Sequence, residues 1–288
     1  MQGIVLIDKP LGISSQQVVY QVRKKLQLKK AGHTGTLDPL ATGMLPVCVG
    51  KATKLAGRML TAEKAYRVTA ILGAESVTGD AEGEINASFP KLTIEQCEQF
   101  RQISQGFIGE SMQLPPMYSA LKCQGKPLYY YARRGQEIAR KPRPISISSL
   151  KVLAVDSESF TLEVVCGKGT YIRTLVEDIA KAMGTRAYVK QLRRLWVAPF
   201  NKQHMVSLED LSVEQVLPMS AMLPHLPRIS VDAAQQRSLG YGQAIPFQET
   251  VQPEGTVFQV FCAKELIALA EVQQGWLKSK VWLQASDS

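Results

Sequence analysis

The apolar positions of the chain fall into short runs that alternate between two periods. Gly3-Ile4-Val5-Leu6-Ile7 is continuous and ends at Asp8-Lys9-Pro10, the pattern of a short buried strand. Ser14 or Ser15 then stands where a helix cap belongs, with Val18, Val22 and Leu26 on one stripe behind it. Met44 to Val49 predicts a strand interrupted or edged by Pro46. Ala65 to Leu72 predicts another, ended by Gly73. Thr93-Ile94-Glu95-Gln96 has capping-box spacing and opens a helix reaching about Ile103. Phe160 to Cys166 alternates as a strand does. Ile172 to Met183 repeats Leu175, Ile179 and Met183 every four residues before Gly184 stops the helix. Pro218, Pro224 and Pro227 mark a linker, and three strand-like runs follow it: Thr256–Phe261, Leu266–Val272 and Trp276–Leu283.

This order predicts an α+β fold with a mixed, largely antiparallel central sheet and flanking helices. Helices do not follow every strand, as a doubly wound fold would require. Residues 1–227 are read as the main domain and residues 228–288 as a small β-rich one. A length of 288 residues with 45% hydrophobic content suits a chain that buries a substantial core.

Charge adds a partner class. The net charge is +9, which favours a polyanion, either nucleic acid or an anionic membrane. The cations are clustered. Residues 1–60 hold nine Lys/Arg against Asp8 and Asp38, residues 122–151 hold eight against Glu137, and residues 186–202 hold five with no acid. Three such clusters point to a face that neutralises phosphates. No apolar stretch approaches the ~20 residues that span a bilayer, and the N-terminus lacks the pattern of a signal peptide. Five scattered cysteines without a Cys-x-x-Cys pair, and only three histidines, argue against a zinc site or a disulfide framework. All five are read as small buried hydrophobes, in keeping with a cytoplasmic location.

One segment is chemically unusual. Ala31-Gly32-His33-Thr34-Gly35-Thr36-Leu37-Asp38-Pro39-Leu40-Ala41-Thr42-Gly43 packs three glycines, three threonines and a proline into thirteen residues. That composition forbids a regular helix or central strand, and its small residues allow a ligand to approach closely. Asp38 is its one acid. Asp before Pro commonly caps a turn, so these residues alone leave a structural role open beside a chemical one. The pattern of a phosphate-cradling P-loop is absent.

Gly32-His33-Thr34-Gly35-Thr36-Leu37-Asp38-Pro39 resembles the signature loop of the TruB-type tRNA pseudouridine synthases, which isomerise uridine 55 in the T arm of tRNA. The likeness extends over almost the entire chain. It includes Asp8 to Ser15, Lys64-Ala65-Tyr66, Thr78 to Gly83, Pro115 to Lys122, Gly167 to Leu175 and Leu192-Arg193-Arg194. The tail resembles the PUA-like β domain of bacterial members more loosely. The resemblance implies the pseudouridine synthase fold, with Asp38 as nucleophile and Arg173 as the cation that pairs with it and keeps it ionised. Tyr66 would stack on the flipped uracil and help with its C5 proton. Tyr171 and Leu192 would wall the base and ribose, His33 would fill the space left in the T loop, and Lys9 would approach the substrate. Lys24, Arg133, Arg134, Arg140 and Arg193 are the candidate phosphate contacts. A redox-neutral isomerisation needs no cofactor and no metal, and the resemblance is to a monomer acting on the T-arm stem-loop.

Three other readings compete. A non-catalytic RNA-binding or tRNA-folding protein on the same scaffold fits the charge equally well. A glycosidase needs two acids flanking the bond, where the loop offers one. A metal-dependent nuclease lacks clustered acids or histidines near the loop.

Overall fold

A computed structural model describes residues 1–247 and 253–284. Eight strands form one sheet: β1 (Gly3–Lys9), β2 (Ala31–His33), β3 (Ala41–Val49), β4 (Lys64–Leu72), β5 (Gly109–Gln113), β6 (Arg143–Val155), β7 (Ser159–Cys166) and β8 (Ala187–Val197). Their order across the sheet is β1-β3-β8-β4-β7-β6-β5, with β2 also paired to β3. Only β3 and β8 run parallel; every other pair is antiparallel. The fold is α+β, as the order of elements predicts.

The continuous apolar runs of β1 and β3 have a simple cause. Successive side chains of a strand point to opposite faces, and here both faces are covered. Val5 and Ile7 of β1 join one core with Leu45, Val47 and Val49 of β3. Ile4 and Leu6 join a second core with Met44 and Cys48. Pro46 does not interrupt β3. The Pro46 carbonyl accepts from the Thr34 amide at 3.1 Å, and the proline lies where β3 passes from its β8 neighbour to its β2 neighbour, a place where no donor is required.

The first core lies under helices α1 (Ser15–Lys25), α2 (Ile94–Gln105) and α3 (Ile172–Ala182). Ser14, not Ser15, caps α1, and it completes a capping box with Gln17. Thr93 and Gln96 do the same for α2. Gly184 follows α3 at φ +77°, the left-handed stop that glycine provides at low cost.

Beyond Pro227 lies a second sheet of β9 (Arg228–Val231), β10 (Ile245–Pro246), β11 (Val257–Cys262), β12 (Glu265–Gln273) and β13 (Trp276–Trp282). It is not a detached appendage, because Leu266, Leu269 and Leu283 pack into the same core as Ile4, Leu6 and Met44. All five cysteines are free; Cys48 and Cys166 are buried, whereas Cys97, Cys123 and Cys262 are only half-buried, contrary to the expectation for all five. Among the described residues no helix is long and apolar enough to cross a membrane.

Candidate active site

The loop between β2 and β3 places Asp38 in a cavity of about 770 Å³ that is also lined by His33, Tyr66, Tyr171, Arg173 and Leu192. Six of the seven residues expected at the reaction site therefore meet at one place, and Arg133, a candidate phosphate contact, also lines it. Lys9 is the exception. It is fully buried and absent from the cavity wall. Its Nζ donates to the carbonyls of Pro10 at 2.8 Å and Pro39 at 3.1 Å, so it braces the loop from behind. Burial, the largest influence on it, pushes the Lys9 ammonium down to about 8.

Ser15 is a second brace. Its hydroxyl donates to the Leu37 carbonyl at 2.9 Å and accepts from the Leu37 amide at 2.8 Å. Both polar groups of the residue before Asp38 are thereby satisfied, which fixes the direction in which the carboxylate leaves the loop.

Arg173 lies in the first turn of α3, with its side chain only 6% exposed. One Nη2 proton goes to the Tyr118 carbonyl at 2.7 Å, Nη1 donates to the Thr78 carbonyl at 2.6 Å, and Nη2 also lies 3.1 Å from Asp38 Oδ2. Its Nε is 3.7 Å from Asp80 Oδ2. The expected pair is present, and Arg173 acts on Asp38 in the expected direction, but burial is the larger influence. Burial raises Asp38 above the ordinary carboxylate value, and Asp80 adds to the rise, while Arg173 and Lys9 oppose it. The net direction is upward, because desolvation outweighs a guanidinium shared with a second acid.

Tyr66 and Leu192 project from adjacent strands β4 and β8. Burial raises the Tyr66 phenol, so the group rests neutral, and Arg194 works in the opposite direction. His33 is pushed down by burial and then by Arg194. The Gly35 amide donates to its Nδ1 at 3.3 Å, which fits a neutral ring. The Tyr171 backbone is clamped by Gln113, whose Oε1 accepts from the Tyr171 amide at 2.8 Å and whose Nε2 donates to the Tyr171 carbonyl at 3.1 Å.

Residues 23–172 match the model described as TruB family pseudouridylate synthase (N terminal domain), and residues 173–223 match the tRNA pseudouridylate synthase B C-terminal domain. This chain belongs to the TruB family. The tRNA pseudouridine synthase B of Methylobacillus flagellatus is 45% identical over 252 residues, covering 85% of this chain and 83% of the relative. That of Actinobacillus pleuropneumoniae is 41% identical over 283 residues, covering 94% and 92%. Among solved structures, a Cbf5-Nop10-Gar1 complex contains a chain that is 26% identical, with a TM-score of 0.73, covering 99% of this chain and 86% of that one. A chain of an H/ACA RNP bound to a substrate RNA shares the fold at 22% identity and TM-score 0.72. The protein is thus an isomerase of the pseudouridylate synthase class.

Several residues of this TruB cavity carried no assigned role in the sequence reading. Asp80 and Glu82 line it beside Asp38, so the cavity holds three acids where the loop offers one. The motif Thr78 to Gly83 was the available signal. Arg194 and Lys64 line it as well. Their neighbours in the sequence, Leu192 and Tyr66, were singled out; they were not. Among the phosphate candidates, Arg193 is already committed: its Nη1 and Nη2 donate to the two oxygens of Asp8 at 2.9 and 2.7 Å. Arg140 is bound to the Pro115 carbonyl and to Glu137. Lys24, Arg133 and Arg134 are exposed; Arg133 stands over the Tyr129 ring and Arg134 over the Tyr130 ring.

Proposed function

We propose that this enzyme isomerises uridine 55 in the T loop of tRNA to pseudouridine, with Asp38 as the nucleophile. The observation that carries the reading is the Asp38–Arg173 pair at 3.1 Å, set in a cavity walled by Tyr66, Tyr171 and Leu192, in a chain of the TruB family. The cavity lies in the size range of small-molecule sites, which suits a nucleotide withdrawn from its stack. Withdrawal costs a few kcal/mol, offset by cationic contacts to the backbone from Lys24, Arg133 and Arg134. His33 takes the space left in the T loop. Tyr66 stacks on the uracil, and Asp38 acts either by attacking the sugar C1′ or by promoting glycal formation. The glycosidic bond breaks, the base turns, and C5 joins C1′. Residues 228–288 act as a PUA-like unit that extends the RNA contact, and the protein works as a monomer in the cytoplasm.

The test is a pseudouridine assay on unmodified tRNA. Asp38→Asn is expected to abolish product while leaving tRNA affinity within roughly tenfold, about 1.4 kcal/mol; turnover retained by the variant removes Asp38 from the nucleophile role. A second activity, RNA binding or folding without chemistry, is favoured by the exposed Arg133 and Arg134 with their stacked tyrosines, and it would persist in Asp38→Asn.

A further inference from the structure

One rung of the large sheet crosses four strands. Lys9 of β1 stands opposite Gly43 of β3, Gly43 opposite Arg194 of β8, and Arg194 opposite Tyr66 of β4. Residues facing one another across a ladder share a face, so Arg194 and Tyr66 point to the cavity side by side. Arg194 is only 1% exposed. Its Nε donates to the Met44 carbonyl at 2.6 Å and its Nη2 to the Gly35 carbonyl at 3.2 Å. No ion pair among the described residues includes it.

A buried cation without a counter-charge is costly, and two carbonyl dipoles offset only part of that. Such a group stabilises negative charge that develops next to it in a dry site. The group opposite it across β4 and β8, on the same cavity wall, is Tyr66, whose phenol the charge of Arg194 draws downward, against the larger effect of burial. Lys64 and Lys9 also stand in this region, and burial pushes each down to about 8, with Arg194 contributing. A guanidinium stays charged where an ammonium can be neutralised.

We propose that Arg194 is a positioning residue for the reaction: held by two backbone carbonyls opposite Tyr66, it makes the phenolate of Tyr66 available inside the cavity, so that one oxygen serves as acid and then as base. The proposal rests on the function assigned above. Once C1′ has joined C5, that carbon still carries its hydrogen and N1 is doubly bonded to C6. The Tyr66 phenol gives its proton to N1. The phenolate then takes the proton from C5, the C–H pair re-forms C5=C6, and the N1=C6 pair returns to N1. One proton passes from C5 to N1, and Tyr66 ends as it began.

The experiment compares Arg194→Gln, which removes the charge, with Arg194→Lys, which keeps it, in the full chain. The phenol of Tyr66 is followed by carbon-13 NMR of ring-labelled tyrosine, with Tyr66→Phe giving the assignment, and single-turnover rates are measured on unmodified tRNA. Tyr66 is expected to titrate at higher pH in Arg194→Gln, with Arg194→Lys in between. The rate should fall about 10²-fold in Arg194→Gln, partly recover in Arg194→Lys, and drop by less than about threefold when either change is added to Tyr66→Phe, with tRNA affinity held. An unmoved Tyr66 titration in a folded Arg194→Gln chain overturns the proposal. So do losses that multiply in the Tyr66→Phe background, and this second test needs only Arg194→Lys should Arg194→Gln not fold. A wild-type chain that makes no pseudouridine instead overturns the assigned function, and the titration still reports on the Arg194–Tyr66 pairing.

Discussion

Arg173 lies 3.1 Å from Asp38 through Nη2, and the same guanidinium reaches Asp80 through Nε at 3.7 Å. One cation serves two carboxylates, so neither has its full effect. Desolvation in the cavity is the largest influence on Asp38, and Asp80 adds to it against Arg173, so Asp38 is raised although it touches an arginine.

The pH profile follows from that direction. A nucleophilic Asp38 must be ionised, and a raised carboxyl loses its charge, as pH falls, earlier than an ordinary aspartate does. The acid limb of single-turnover kcat/KM is therefore expected above the usual 3.8. Asp80→Asn removes a charge that raises Asp38 and leaves Arg173 to Asp38 alone, so the limb should move to lower pH. A limb that stays in place or rises shows that Asp80 does not act on Asp38 electrostatically.

Salt dependence separates the exposed cations from the committed one. A lysine or arginine that contacts a phosphate contributes about one unit to the slope of log affinity against log salt. Arg133→Ala and Arg134→Ala are each expected to lower that slope by about one. Arg193→Ala should lower it by less, because its guanidinium is held bidentately by Asp8. Filter-binding titrations across a salt series with T-arm RNA give all three slopes, and an Arg193 slope change equal to the others would contradict the Asp8 pairing.

Gly43 is a position where a side chain has no room. It sits at φ +96°, and a Cβ there would lie 2.2 Å from the Arg194 carbonyl oxygen. Backbone strain and overpacking each cost about 1–3 kcal/mol, so Gly43→Ala is expected to destabilise the chain by about 2–5 kcal/mol in urea unfolding. A cost below about 1 kcal/mol would mean that β3 and β8 separate easily.

The sequence pattern located most of the apolar strands and lost the two longest of the large sheet. Phe160 to Cys166 reads as a strand and is one. The thirteen residues of β6 and the eleven of β8 were not legible. Each carries two register shifts, between Ile147 and Ser149 and between Val152 and Ala154 in β6, and between Val189 and Gln191 and between Arg194 and Trp196 in β8. An extra residue at a bulge flips the side chains that follow it, so a period of two cannot be followed through. β8 also looked like a basic surface segment, because Lys190, Arg193 and Arg194 fall inside it. Arg193 and Arg194 are alike as letters, yet they emerge on opposite faces, one paired with Asp8 and the other buried at the cavity. The signature loop was legible because its chemistry is local, but its bounds were not: Ala31–His33 and residues 41–43, excluded from strands by their composition, belong to β2 and β3, and only residues 34–40 form the loop. The bracing by Lys9 was not legible for the converse reason: besides the adjacent Pro10, it holds the carbonyl of Pro39, thirty residues away.

The second core joins the two sheets in one further respect. Met44 packs with Leu266 and Leu269 on one side, and its carbonyl receives Arg194 on the other. The second sheet is thus the footing of Met44 and of the guanidinium it holds, and a cavity opened at Leu269 should be felt as lost chemistry before it is felt as lost grip on RNA.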